Sequence, residues 1–176
     1  MQSSEPQSWR YLPRSSPNVV TMAKIELDAI DRRIIAALQA DGRMTVQQLA
    51  AQVGLSASPC ARRVRLLEQA GVIKGYTAVI DQAQIGLPIS AFASIKLARQ
   101  HEEDLDSFAS AVSRWPEVVD CYLMTGQRDY LMRIVVRDLE AYERFLKEKL
   151  TRLSNVASIE TSFALGQVKR SDHLPL

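Results

Sequence analysis

The stretch from Gly54 to Gly71, GLSASPCARRVRLLEQAG, narrows the choice of fold more than any other part of the chain. A glycine of the kind that ends helices precedes Ser-Ala-Ser-Pro. A helical run follows that holds Arg62, Arg63 and Arg65 and closes on Gly71. At about 100° per residue, Cys60, Val64, Leu67 and Gly71 fall on one side of that helix. Ser58, Pro59, Arg62, Arg65 and Gln69 fall on the other, with Arg63 on the flank. Such a helix packs along one face and offers a basic face outward.

Its neighbours fit that arrangement. Asp28 is placed to cap a first helix with an Ile30, Ile34, Leu38 stripe and Gly42 just past its end. Thr45-x-x-Gln48 is a capping box that opens a short second helix, with Val46, Leu49, Ala50 and Val53 at core spacing. Leu55 can staple the third helix, Ser56 can cap it, and Pro59 sits in the first turn, where a missing N–H costs little. Beyond Gly71, VIKGYTAVID reads as two short strands around a Lys74-Gly75 turn. The expectation for residues 23–81 is a winged helix-turn-helix.

Residues 1–22, with Pro6, Pro13 and Pro17 among serines, read as a disordered arm carrying Arg10 and Arg14, and Met22 reads as an alternative translation start. Residues 82–88, with Gly86 and Pro88, read as a linker. Residues 89–176 then alternate as βαββαβ. The strands are expected at 89–97, 118–124, 129–136 and 156–165. One helix carries Leu105, Phe108, Ala109 and Val112, and the other, capped by Asp138, carries Tyr142, Phe145, Leu146 and Leu150. This order predicts a ferredoxin-like domain with both helices on one face of the sheet, so the fold class is α+β. The middle strands read as apolar on both sides, with Val118, Tyr122 and Met124 opposite Val119, Cys121 and Leu123. An uncovered apolar face is expected to pair with a second copy of the chain, giving a homodimer.

Composition excludes several classes. The longest apolar run, Leu131 to Val136, is interrupted by Arg133 and falls short of the ~20 residues a bilayer span needs, and the N-terminus lacks the apolar core of a secretory signal. No membrane association and a cytoplasmic location are expected. Cys60 and Cys121 show no metal-ligand spacing. No nucleophile–base pair, metal cluster or phosphate loop appears in residues 82–176, so no cofactor and no catalysis are expected. The net charge is only +2, so any affinity for nucleic acid must come from local clustering.

That clustering lies on the third helix. Double-stranded DNA is the expected partner, with Ser58, Pro59 and Arg62 near base edges and Arg62 or Arg65 placed to pair with guanine. Ser56 and Gln69 border this face, and Arg63 and Lys74 are expected to neutralise phosphates.

The segment LDAIDRRIIAALQADGRMTVQQLAAQVGLSASPCARRVRLLEQAGVIKGYTAVID resembles the N-terminal half of the leucine-responsive/asparagine-responsive (Lrp/AsnC) family of bacterial transcription regulators. TGQRDYLMRIVVRDLEAYERFL and SFALGQVKRSDHLPL resemble its C-terminal half, so the likeness spans about residues 25–176. The resemblance implies a winged helix-turn-helix joined to an amino-acid-sensing ferredoxin-like domain, in dimers that assemble to octamers or other even oligomers. It also implies an effector, an amino acid, held between dimers near Gly126, Gln127, Arg128, Asp129 and Tyr130, with Leu123, Met124 and Thr125 lining the approach. Backbone N–H groups of such a turn suit a carboxylate, and an Asp suits an ammonium group. The sequence departs from the family at Ala61, where members with Ser-Pro-Cys often carry a bulky residue. Two other readings fit the pattern: an architectural DNA-compacting protein with weak sequence preference, and a ferredoxin-like small-molecule-binding domain without regulatory DNA binding.

Overall fold

The computed structural model describes residues 26–171 and 173–176. The N-terminal arm with Arg10 and Arg14, and the Met22 start, lie outside the described residues. The chain forms two compact units, one running from Asp81 to Gln167 and the other comprising the helices before Ile80 together with Val168–Leu176.

In the helical unit, α1 spans Ala29–Ala40, α2 Val46–Val53 and α3 Ala57–Gln69. Local chemistry sets each start. Asp28 accepts the N–H groups of Ile30 and Asp31 at 2.8 and 2.7 Å, and its own N–H reaches the Asp31 carboxylate. Thr45 and Gln48 form the reciprocal box at α2, each box satisfying donors that a helix start leaves open. Gly54 ends α2 in the left-handed region at φ 72°, where a side chain is strained. Ser56 occupies the first cap position of α3, but contrary to expectation its side chain makes no cap bond. Ile34, Ala37, Leu49, Ala50, Val53, Cys60 and Leu67 form the core, with Leu55 and Val64 packed against it.

The expected strand pair after Gly71 is absent. Residues 74–81 form no strand among the described residues. The reason lies in the end of α3, where the N–H groups of both Val72 and Ile73 turn back to the Leu67 carbonyl at 3.0 and 3.1 Å. With Gly71 at φ 70° this is a glycine-terminated helix end, and it uses the donors a first strand would have offered.

The second unit runs β1 (Ile89–Leu97), α4 (Glu102–Val112), β2 (Val118–Leu123), β3 (Tyr130–Val136), α5 (Leu139–Glu148) and β4 (Val156–Phe163). The sheet order is β2-β3-β1-β4 with every neighbouring pair antiparallel, the ferredoxin-like arrangement. Ala91, Ala93, Ile95 and Leu97 of β1 and Tyr130, Met132, Ile134 and Val136 of β3 enter one core with Phe108, Val112, Tyr142, Phe145 and Leu150. Small residues at 91 and 93 on the central strand leave room for the rings. Phe108 stacks on Tyr130 at 4.4 Å, and Trp115 meets Phe145 edge-on at 5.4 Å.

Both edge strands carry one extra residue. Val118 pairs with Ile134 but Asp120 with Arg133, so Val119 is a bulge in β2. Lys96 pairs with Ser158 but Leu97 with Val156, which leaves Ala157 as a bulge in β4. The first bulge corrects the expected alternation. Residues directly opposite in a ladder share a face, so Val118, Cys121 and Leu123 go to the helix side and Asp120 and Tyr122 to the open side. The open face is accordingly more polar than expected. Phe92, Leu131, Val135 and Tyr122 share it with the Asp120–Arg133 ion pair at 2.6 Å and with Ser158, Glu160 and Ser162 of β4.

Phe108 is fully buried. Phe108→Ala is expected to cost the second unit about 3–5 kcal/mol, read as a shift of its denaturant unfolding transition. A loss below about 1 kcal/mol would contradict the packing described.

Candidate DNA-contacting face and effector turn

Packing of α3 against the core through Cys60 and Leu67 turns the opposite side outward. Ser56, Ser58, Arg62, Arg65 and Gln69 are exposed, Pro59 is half-buried, and Lys74 is exposed in the segment beyond. Arg62 and Arg65 make no ion pair among the described residues. The exposures follow the angular reading of the helix, save that Pro59 and Val64 are half-buried and Gly71 is exposed.

Arg63 differs from its neighbours and from expectation. Its Nη1 donates to Asp28 Oδ2 and Asp31 Oδ1, both at 2.7 Å. The two carboxylates, Asp31 foremost, hold its pKa above the ordinary guanidinium value. In return Asp28 sits below the usual carboxylate range, held there first by the Asp31 N–H and further by Arg63 against a desolvation penalty. Arg63 is therefore a tie between α3 and the start of α1, its guanidinium shared by two carboxylates. Glu68 on α3 is likewise engaged, accepting the Tyr76 hydroxyl at 3.1 Å. Cys60 is fully buried, and desolvation raises its thiol pKa, away from the thiolate form that reacts.

The turn between β2 and β3 is closed by the Met124 N–H on the Asp129 carbonyl at 2.8 Å. Gly126 takes φ 107°, open to glycine alone among common residues. Leu123, Met124, Thr125, Gly126 and Gln127 are exposed. The other three expected effector residues are engaged elsewhere. Arg128 reaches across the sheet to Ser158 Oγ at 2.8 Å and Glu160 Oε2 at 2.6 Å. Tyr130 is a core residue whose hydroxyl donates to the Leu105 carbonyl.

Asp129 is buried, and its carboxylate accepts the Leu97 N–H at 2.7 Å, Lys96 Nζ at 3.2 Å and the Gln100 amide at 2.6 Å. Burial pushes this carboxyl up, but the three donors outweigh it and hold its pKa below the ordinary range. Both of its oxygens already accept bonds within the chain, three in all, which leaves little room for the ammonium ion it was expected to receive. The signal that could have revealed this is the Lys96 and Gln100 pair at the end of β1, legible only once β1 and β3 are known to be neighbours.

Two family models match in turn: a winged helix-turn-helix DNA-binding model over residues 27–74 and the Lrp/AsnC ligand-binding domain over residues 90–174. The leucine-responsive regulatory protein of Rhizobium meliloti is 40% identical over 148 residues, covering 84% of this chain and 95% of that protein. The Bkd operon transcriptional regulator of Pseudomonas aeruginosa is 42% identical, covering 86% and 99%. Among solved structures, a transcriptional regulator of Neisseria meningitidis in complex with L-Met superposes with a TM-score of 0.80 at 35% identity, covering 85% and 96%. Escherichia coli AsnC superposes at 0.77 with 27% identity, covering 84% and 98%.

A helix-turn-helix with an outward basic face, joined to a ferredoxin-like ligand-binding domain, defines a DNA-binding transcription regulator. The chain belongs to the Lrp/AsnC family. No helix among the described residues is long and apolar enough to cross a membrane.

Two outcomes follow from the ties. Arg63→Ala is expected to lower the thermal unfolding midpoint of the helical unit by a few degrees, while Arg62→Ala leaves it unchanged; equal midpoints for the two variants would refute the division. The depressed Asp129 pKa contributes stability that is full above the unfolded carboxylate value of about 4 and is lost as pH falls through the lower folded value. The stability gap between the native chain and Asp129→Asn should therefore be widest above about pH 4 and shrink below it, which acid titration of urea midpoints would measure.

Proposed function

We propose that the chain regulates transcription as an even-numbered assembly, dimeric and higher up to an octamer, that binds near-palindromic double-stranded DNA with α3 in the major groove. The observation that carries this reading is the contrast along α3: one arginine is tied to α1 while Arg62 and Arg65 are exposed with no carboxylate partner among the described residues. In this reading Ser58, Pro59, Arg62, Arg65 and Gln69 approach base edges, and Ser56 at the helix start and Lys74 beyond it contact phosphate.

The effector is an amino acid held at the Leu123–Arg128 turn where dimers meet. Exposed Leu123 and Met124 beside a glycine turn support an interface there, as do the L-Met complex of a structural relative and the names of the leucine-responsive relatives. The carboxylate goes to backbone N–H groups of the turn. The ammonium group needs an acceptor other than Asp129. Regulation, not catalysis, is what the relatives are named for.

Binding to the DNA upstream of its own gene, against a scrambled duplex, at two salt concentrations and with a panel of amino acids, tests the reading. A specific complex whose affinity shifts with one amino acid is expected; equal affinity for scrambled DNA would favour an architectural role. Arg62→Ala should weaken discrimination at one base pair by about 1–3 kcal/mol. Lys74→Ala should weaken all duplexes alike and reduce the salt slope by about one.

A further inference from the structure

The outward face of α3 is basic but not wholly polar. Leu66 is 54% exposed, the one large apolar side chain of α3 that solvent reaches so far, while the next residue, Leu67, fills the core. It stands four residues after Arg62, about 40° round the helix from it and about 20° from Pro59. The side chains of Arg62 and Leu66 also line one shallow recess, together with Ala70. Leu66 therefore belongs to the surface that carries Arg62 and Arg65, not to the side that packs.

A single exposed leucine is common on protein surfaces and by itself marks nothing. Its neighbours are what give this one a chemistry. Arg62 and Arg65 have no carboxylate partner among the described residues, so their N–H groups suit acceptors such as guanine O6 and N7. A leucine between such donors offers neither a donor nor an acceptor. In the major groove the base edges present one apolar group, the C5-methyl of thymine. Contact between the two removes apolar surface of both partners from water.

We propose that Leu66 is a specificity-determining residue that reads the C5-methyl of a thymine in each half-site. The inference rests on the reading of α3 as the helix that enters the major groove. Four helical residues rise about 6 Å, close to two base-pair steps of about 3.4 Å. The thymine accordingly lies within about two base pairs of the base that Arg62 contacts. Cover on one methyl is worth about fourfold in affinity per half-site, or about 0.8 kcal/mol.

The test uses the full chain and its Leu66→Ala and Leu66→Gln variants on a duplex that the native chain selects from a random pool. Each thymine of that duplex is replaced in turn by deoxyuridine, which keeps the base pair and the O4 acceptor and lacks only the methyl. At one thymine per half-site the native chain should lose about fourfold in affinity, and both variants should show no loss at that position. Alanine and glutamine are good helix formers and the site is exposed, so unchanged thermal midpoints verify that α3 is intact. 5-Methylcytosine carries the same methyl, so in place of cytosine at that position it should strengthen binding by the native chain and leave Leu66→Ala unmoved.

A deoxyuridine penalty that persists undiminished in Leu66→Ala overturns the proposal, because another group then reads the methyl. An enriched sequence with no methyl-sensitive thymine overturns it as well, and leaves the reading of α3 standing. Failure of the native chain to enrich any sequence refutes the sequence-specific reading of α3 itself, and the role of Leu66 falls with it.

Discussion

Arg63 fastens the third helix to the first turn of α1, and the direction in which Arg62 and Arg65 project follows from that fastening. A helix thirteen residues long is buried on its inner side mainly through Cys60 and Leu67, which fix its face toward the core. Two charge-assisted bonds from one guanidinium to the cap and first turn of α1 add a second point of attachment on the flank. Asp28 and Asp31 thus act twice, since the pair that opens α1 also orients α3.

The β2–β3 turn, the candidate effector site, is organised by the same device with the charges reversed. Asp129 is a buried anion gripped by a backbone N–H, an ammonium and an amide, all from the end of β1 and the residues just past it. Arg128, one position earlier, ties the same turn across the open face to β4. The backbone of the turn is therefore held from two directions while Leu123 and Met124 remain uncovered. A preformed frame with exposed apolar side chains suits a site completed by another surface more than a pocket closed within one chain.

Much of this was legible in the sequence because local chemistry fixes it. The Asp28 cap, the Thr45 and Gln48 box, Gly54 and the βαββαβ order each depend on residues within a few positions of one another. What escaped was decided at long range or by a count of one. Arg63 meets Asp28 across 35 positions, and no periodicity announces it. Val119 shifts the alternation of β2 by a single residue, moving Cys121 and Leu123 to the other face. The expected strand at Val72 failed because a glycine-ended helix and a strand compete for the same two N–H groups, and the nearer acceptor won.

The extra residues at Val119 and Ala157 lie one on each outer strand of the four-stranded sheet. An uninterrupted outer strand is a template on which another chain can add its own, and repetition of that event makes fibres. Here neither rim offers an unbroken row of donors and acceptors, so backbone-to-backbone polymerisation is disfavoured on both sides. Contacts that this sheet makes with another protein surface are thereby left to its side chains.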